Sequence, residues 1–200
     1  DDGGVEAADG VRSPLDELHR QFELATAALQ GGLSNVVVLA SGTGVDGFNL
    51  PYTSLGNQSI QRHDLHHQSA GVPEYQDLIH SATARHVSMI AEMARRLAQT
   101  PEVGAEGSML DHTVILYMSD NGEQHHSTAS EWPMLMVGGE RLGLRTGGRT
   151  IAYPGLGFGA HRQVSNLFNT LGFLAGTDLV DFGGEGPTRI AEGPLPELLG

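Results

Sequence analysis

Imidazole and carboxylate groups cluster twice in this chain, and both clusters have the makeup of a divalent-metal site. The first is His63-Asp64-Leu65-His66-His67, and the second is Ser119-Asp120-Asn121-Gly122-Glu123-Gln124-His125-His126. Neutral imidazoles and carboxylate oxygens together suit Zn²⁺, Mn²⁺ or Fe²⁺. An amide ligand at Asn121 raises the oxygen share and makes Ca²⁺ or Mg²⁺ a better fit. An ion held by Asp64, His66, His67, Asp120, Asn121, His125 and His126 could polarise an ester oxygen or generate hydroxide near neutral pH. Two ions about 4 Å apart could clamp attacking and leaving oxygens together. Each cluster also has a plain reading: Asp-Asn-Gly is ordinary turn chemistry, and paired His residues occur on solvated loops.

Other chemistry-bearing residues read as structural. His86 lies on the apolar stripe of a helix and is expected to be a hydrogen-bonded core histidine. His112 precedes a strand beside Asp111. His161 and Arg162 open the last helix, where a helix-end pair is favoured over an anion site. Arg145 and Arg149 flank Thr146-Gly147-Gly148 and read as solvated arginines at a turn. The Gly-rich residues 41–47 follow an apolar run, but they lack the Lys-Ser/Thr ending of a phosphate loop.

The elements that must position these groups are written in hydrophobic spacing. Pro14 and Asp16 suit a first helical turn capped by Ser13. Leu15, Leu18, Phe22, Ala25 and Leu29 then keep helical period until Gly31-Gly32 stops them. A second stripe runs through Tyr75, Leu78, Ile79, Ala82, His86, Met89, Ile90, Met93 and Leu97, predicting a helix over 73–99. A third helix is predicted over 161–173. Residues 35–40 contain Val36, Val37, Val38 and Leu39, an unbroken apolar run predicting a strand buried on both faces of a parallel sheet. Two further strands are predicted over 113–118 and 134–137. Strand, long helix, strand reads as a right-handed crossover. Asp120 and Asn121 then fall at the carboxyl end of a strand, where open parallel sheets bind ligands.

Composition narrows the function classes. A net charge of −13, with only 11 basic residues among 200 and no run of them, argues against a general nucleic-acid binder. There is no cysteine, which excludes disulfides and thiolate sites. No apolar stretch approaches the roughly 18 residues of a membrane span. A start at Asp1 without a secretion signal is expected of a processed chain or of a fragment. Residues 1–12 are Gly- and acid-rich and read as a flexible leading segment; residues 185–200 read as an irregular tail around a domain over 13–184.

From about residue 15 to residue 184 the chain resembles an uncharacterised bacterial family known for a His-x-x-Ser-His-His motif. The residues that carry this are the run at 35–40, the region at His63, Arg85-His86-Val87, the stretch from Met109 to Asp120, His125-His126, and Trp132-Pro133-Met134 with Val137-Gly138-Gly139. That family looks like a distant branch of the alkaline phosphatase and sulfatase superfamily. The resemblance implies an α/β fold with a mostly parallel sheet flanked by helices, of which this chain holds the carboxy-terminal part. It implies Asp120 as a metal ligand, Asn121 as a second, Asp64 with His66 or His67 as an earlier group, and His125 or His126 as a later one. The motif's Ser stands here as His66 and its last His as Gln68, so the retained ligand is open between neighbours. The superfamily's nucleophile belongs to an amino-terminal half, so here it is expected from water, a missing segment or another protein chain. Action on a small phosphate or sulfate ester, with a Zn, Ca, Mg or Mn ion, follows from the same likeness. The alternative is a binding or structural module of an envelope or extracellular assembly. Family members resemble exported proteins, implying periplasmic or extracellular residence.

Overall fold

The computed structural model describes residues 14–41, 49–52, 58–68, 71–119, 132–155, 158–182 and 192–200. Contacts gather into two units, Asp1–Leu97 and Ala98–Gly200.

The first unit is built on two helices, α1 (Pro14–Gln30) and α3 (Pro73–Ala98). α1 begins on Pro14, whose fixed φ suits a first turn, with Asp16 and Glu17 placed where the helix dipole favours negative charge. It stops as the sequence predicts. Gly32 takes φ +64, Leu33 N–H donates to the Ala28 carbonyl and Gly32 N–H to the Leu29 carbonyl, a two-bond cap that a left-handed glycine permits. The Ser13 cap lies outside the described residues. α3 follows its predicted stripe, burying Ala82, His86, Met89, Ile90, Met93, Ala94 and Leu97. Leu15, Leu18, Ile60, Leu65, Ala82 and Met89 form one buried cluster, with Phe22, Tyr75, Leu78 and Ile79 packed on it. Half-exposed polar contacts fringe this core: His19 with Glu92 at 3.2 Å and Arg85 with Asp16 at 3.7 Å. Such pairs contribute about 0–1 kcal/mol each, so apolar burial holds the unit together. Between the helices, β1 (Asn49–Tyr52) and β2 (Gln58–Gln61) pair antiparallel, and β2 runs directly into the short helix α2 (Arg62–Gln68).

The second unit opens on a 3₁₀ turn, Met109–His112, fixed by a reciprocal cap: Ser108 N–H donates to Asp111 Oδ2 at 2.7 Å, and Asp111 N–H donates to Ser108 Oγ at 3.4 Å. β3 (Val114–Met118) and β4 (Met134–Gly138) follow, paired antiparallel with Leu116 opposite Met136. Gly138 sits at φ +81, and a Cβ there would meet the Thr113 and Leu110 carbonyl oxygens, so the end of β4 requires glycine. α4 (Val164–Leu174) buries three polar residues. Asn166 and Asn169 both donate to the Gly193 carbonyl, at 3.0 and 3.1 Å, while Leu195 N–H donates to Thr170 Oγ1 at 2.8 Å. This polar clamp holds the stretch around Leu195 on the helix. Beyond it Leu199 bridges Leu144, and Arg145 N–H donates to the Leu198 carbonyl at 2.7 Å.

The expected α/β class with a mostly parallel sheet is overturned. The described residues are mainly helical, and their sheets are two separate antiparallel pairs. Residues 35–40 form no strand, so the expected strand–helix–strand crossover does not exist. Among the described residues no helix is long and apolar enough to cross a membrane.

Candidate functional site

The first polar cluster lies on α2. Leu65, completely buried, anchors this helix in the core and leaves its polar residues at or near the surface. His63 and His67 stand four residues apart, so their side chains share one face. Their Nε2 atoms lie 3.1 Å apart and their rings meet edge-on at 4.7 Å. At that separation one ring donates and the other accepts. Asp64, His66 and His67 thus fall on one short helix, but among the described residues no three His, Cys, Asp or Glu side chains converge as metal ligands.

The other expected ligands, Asp120, Asn121, His125 and His126, lie outside the described residues. The two clusters belong to different units. At the rim of the second, the Trp132 indole N–H donates to the Ser119 carbonyl at 3.0 Å. β3 pairs antiparallel, so its carboxyl end is not the ligand-binding rim that open parallel sheets offer.

The burial expected of His86 is found, although its Nε2 makes no hydrogen bond among the described residues. The residue is only 2 % exposed, and burial together with the nearby Arg62 guanidinium lowers its pKa to about 4, so it stays neutral at ordinary pH. Arg62 also donates to Ser41 Oγ at 2.9 Å, tying the start of α2 to the end of the 35–40 stretch. His112 is structural too, its Nε2 lying 2.9 Å from the Glu106 carbonyl.

Two features escaped the sequence. The first is the state of residues 35–40. Val36 is 75 % and Val38 86 % exposed, and Leu33 just before them is also exposed. Ser34 Oγ donates to the Val36 carbonyl and accepts from its N–H, which fixes the start of the stretch. Among the described residues the backbone groups of Val37, Val38, Leu39 and Ala40 make no hydrogen bond. The second is an arginine cradle in the other unit. Arg149, Tyr153 and Arg162 meet at Glu197, whose Oε1 is 3.8 Å from Arg162 Nη2 and whose Oε2 is 3.5 Å from the Tyr153 hydroxyl. Arg149 Nη2 donates to the backbone carbonyls of Glu197 and, at 3.1 Å, Arg145. Burial and the Glu197 carboxylate raise the Tyr153 pKa above its usual value. Read separately, these residues were a turn, a helix end and a tail. Arg149 and Glu197 stand 48 positions apart, and no local pattern joins them.

No family model, no curated protein and no solved structure matches this chain. Together with the helical, antiparallel architecture, this overturns the resemblance to the His-x-x-Ser-His-His family and to the alkaline phosphatase and sulfatase superfamily. The expected metal-dependent ester hydrolase falls with it, since the fold does not stand behind it and no ligand set converges among the described residues.

Proposed function

We propose that this chain works by association, adding residues 35–40 as a strand to the edge of a sheet supplied from outside its 200 residues. The single observation behind this reading is an apolar run that leaves Val36 and Val38 in water, with the backbone groups of Val37, Val38, Leu39 and Ala40 making no hydrogen bond among the described residues. Exposed backbone N–H and C=O groups in an extended segment are a template for strand pairing. Proteins that avoid such pairing place charge or proline there, whereas residues 33–45 contain neither.

The run also indicates the kind of edge it fits. Apolar side chains project to both faces of an extended Val36-Val37-Val38-Leu39 segment, so the receiving sheet must be covered on both sides. A second copy of the chain fits poorly. A two-stranded ribbon leaves both apolar faces in water, and two chains of charge −13 repel each other. Burying one valine stabilises by roughly 1.5–3 kcal/mol, so covering Val36, Val37 and Val38 gives a meaningful share of a binding energy even after ordering costs.

Because the chain has no cysteine, a Val38→Cys variant carries one thiol. Cross-linking from that thiol in the producing cells should give a discrete adduct whose far end maps to an edge strand of another segment or chain. The adduct should vanish when Val36 is also changed to Asp. Cross-links confined to residues within these 200 positions contradict the proposal.

A further inference from the structure

The cradle in the second unit has an unusual imbalance. This chain carries 24 acidic residues against 11 basic ones, all of them arginine, yet two of those arginines and a phenol gather at one glutamate, Arg162 and Tyr153 at its carboxylate and Arg149 at its backbone carbonyl. That carboxylate engages them only loosely. Its contacts of 3.8 Å to Arg162 and 3.5 Å to Tyr153 lie at or beyond the outer limit of good hydrogen bonds, and Arg149 turns to backbone carbonyls instead. A well-matched guanidinium–carboxylate pair is shorter and often bidentate. The cradle itself is built into the fold. The Arg162 side chain is only 23 % exposed, Tyr153 is half-buried, and Arg162 Nη1 donates to the His161 carbonyl at 3.0 Å. His161 is fixed in turn, with Nδ1 at 2.9 Å from the Pro154 carbonyl. Glu197, by contrast, keeps 41 % of its side chain exposed, while its backbone is held by the neighbouring Leu198 and Leu199 contacts. Its side chain can therefore rotate out without undocking the segment.

We propose that Arg149, Tyr153 and Arg162 form a binding site for an external carboxylate, and that the Glu197 side chain is its internal placeholder. A small dicarboxylate or an acidic side chain of a peptide enters as Glu197 swings aside. Its two oxygens take the Arg162 guanidinium and the Tyr153 hydroxyl, and Arg149, released from the backbone carbonyls, closes over it. The geometry favours a planar two-oxygen anion over a tetrahedral one, because two donors and one flanking guanidinium meet a carboxylate edge. The site lies in the second unit, so it stands or falls independently of strand addition by residues 35–40.

Titration of the full chain with succinate at low ionic strength, read by the NMR shifts of the Arg162 and Arg149 side-chain N–H groups, tests this. Glu197→Gln should bind succinate about tenfold more tightly than the unmodified chain, since the competing carboxylate is gone. Arg162→Gln placed in the Glu197→Gln background should abolish binding. Should that variant unfold by circular dichroism, Tyr153→Phe in the same background removes one hydroxyl only and should weaken binding several-fold. Equal affinity in the unmodified chain and Glu197→Gln overturns the placeholder role. Binding that ignores the Tyr153→Phe change overturns the site, and inorganic phosphate binding as tightly as succinate overturns the carboxylate assignment.

Discussion

Residues 35–40 and β3 are close to the same sentence written twice. One reads Val36-Val37-Val38-Leu39 and the other Val114-Ile115-Leu116-Tyr117-Met118, both uncharged and both rich in branched side chains. β3 is paired along its length with β4, from Val114 opposite Gly138 to Met118 opposite Met134, and all five residues are partly buried. The 35–40 run has no such neighbour among the described residues and leaves Val36 and Val38 in solvent. Strand propensity is thus half of an interaction. Whether it becomes a strand depends on a partner edge elsewhere, which the run does not encode.

Proline should separate the two runs most strongly. Leu116→Pro deletes an N–H within a paired strand and should cost about 3 kcal/mol or more, seen as loss of the second unit's thermal transition. Val38→Pro should shift the first unit's transition by less than about 0.5 kcal/mol, since no bond is lost. Acid should separate the two units next. His86 binds its proton near pH 4 when folded but near 6.5 when unfolded, so its contribution to stability is full above pH 6.5 and disappears as pH falls to 4. The loss over that window should reach about 3 kcal/mol and fall on the first unit, and a His86→Leu variant should flatten it. In the second unit the Asp111 carboxyl, held below its ordinary 3.8 by hydrogen bonds from the Ser108 backbone and hydroxyl, loses its stabilising effect only at still lower pH. Denaturant melts at pH 7, 5.5 and 4.5 that lower both units equally contradict this. A smaller step is Ser108→Ala, which should cost the second unit about 1 kcal/mol through the lost cap and leave the first untouched. Smallest of all, Val38→Thr should leave both melts within about 0.5 kcal/mol while reducing aggregation of the chain.

How far the residues foretold the fold follows the reach of each interaction. α1, α3 and α4 were legible because helical bonds and caps are local. Gly31-Gly32 ended α1, and the Tyr75-to-Leu97 stripe gave α3 within a residue at its end. β3 and β4 were legible as segments, but not their antiparallel pairing, which depends on how the chain returns. The buried Asn166, Asn169 and Thr170 went unnoticed because α4 was read by its apolar residues, whereas the polar ones lock it to residues 25 or so away. The His63–His67 cluster looked like half of a metal site, yet local physics made it a helix on Leu65. Motif order suggested a family whose architecture this chain does not share, because short polar clusters recur in loops and helices of unrelated folds.

Whether residues 37–40 lack a partner within the chain can be read from amide hydrogen exchange of the isolated chain, compared with residues 114–118. Amides 37–40 should exchange within about tenfold of free-peptide rates, while those of β3 bonded to β4 should be slower by about a hundredfold or more. Protection of the 37–40 amides equal to that of β3 would mean the run already has its partner within this chain, and the association proposal would be wrong.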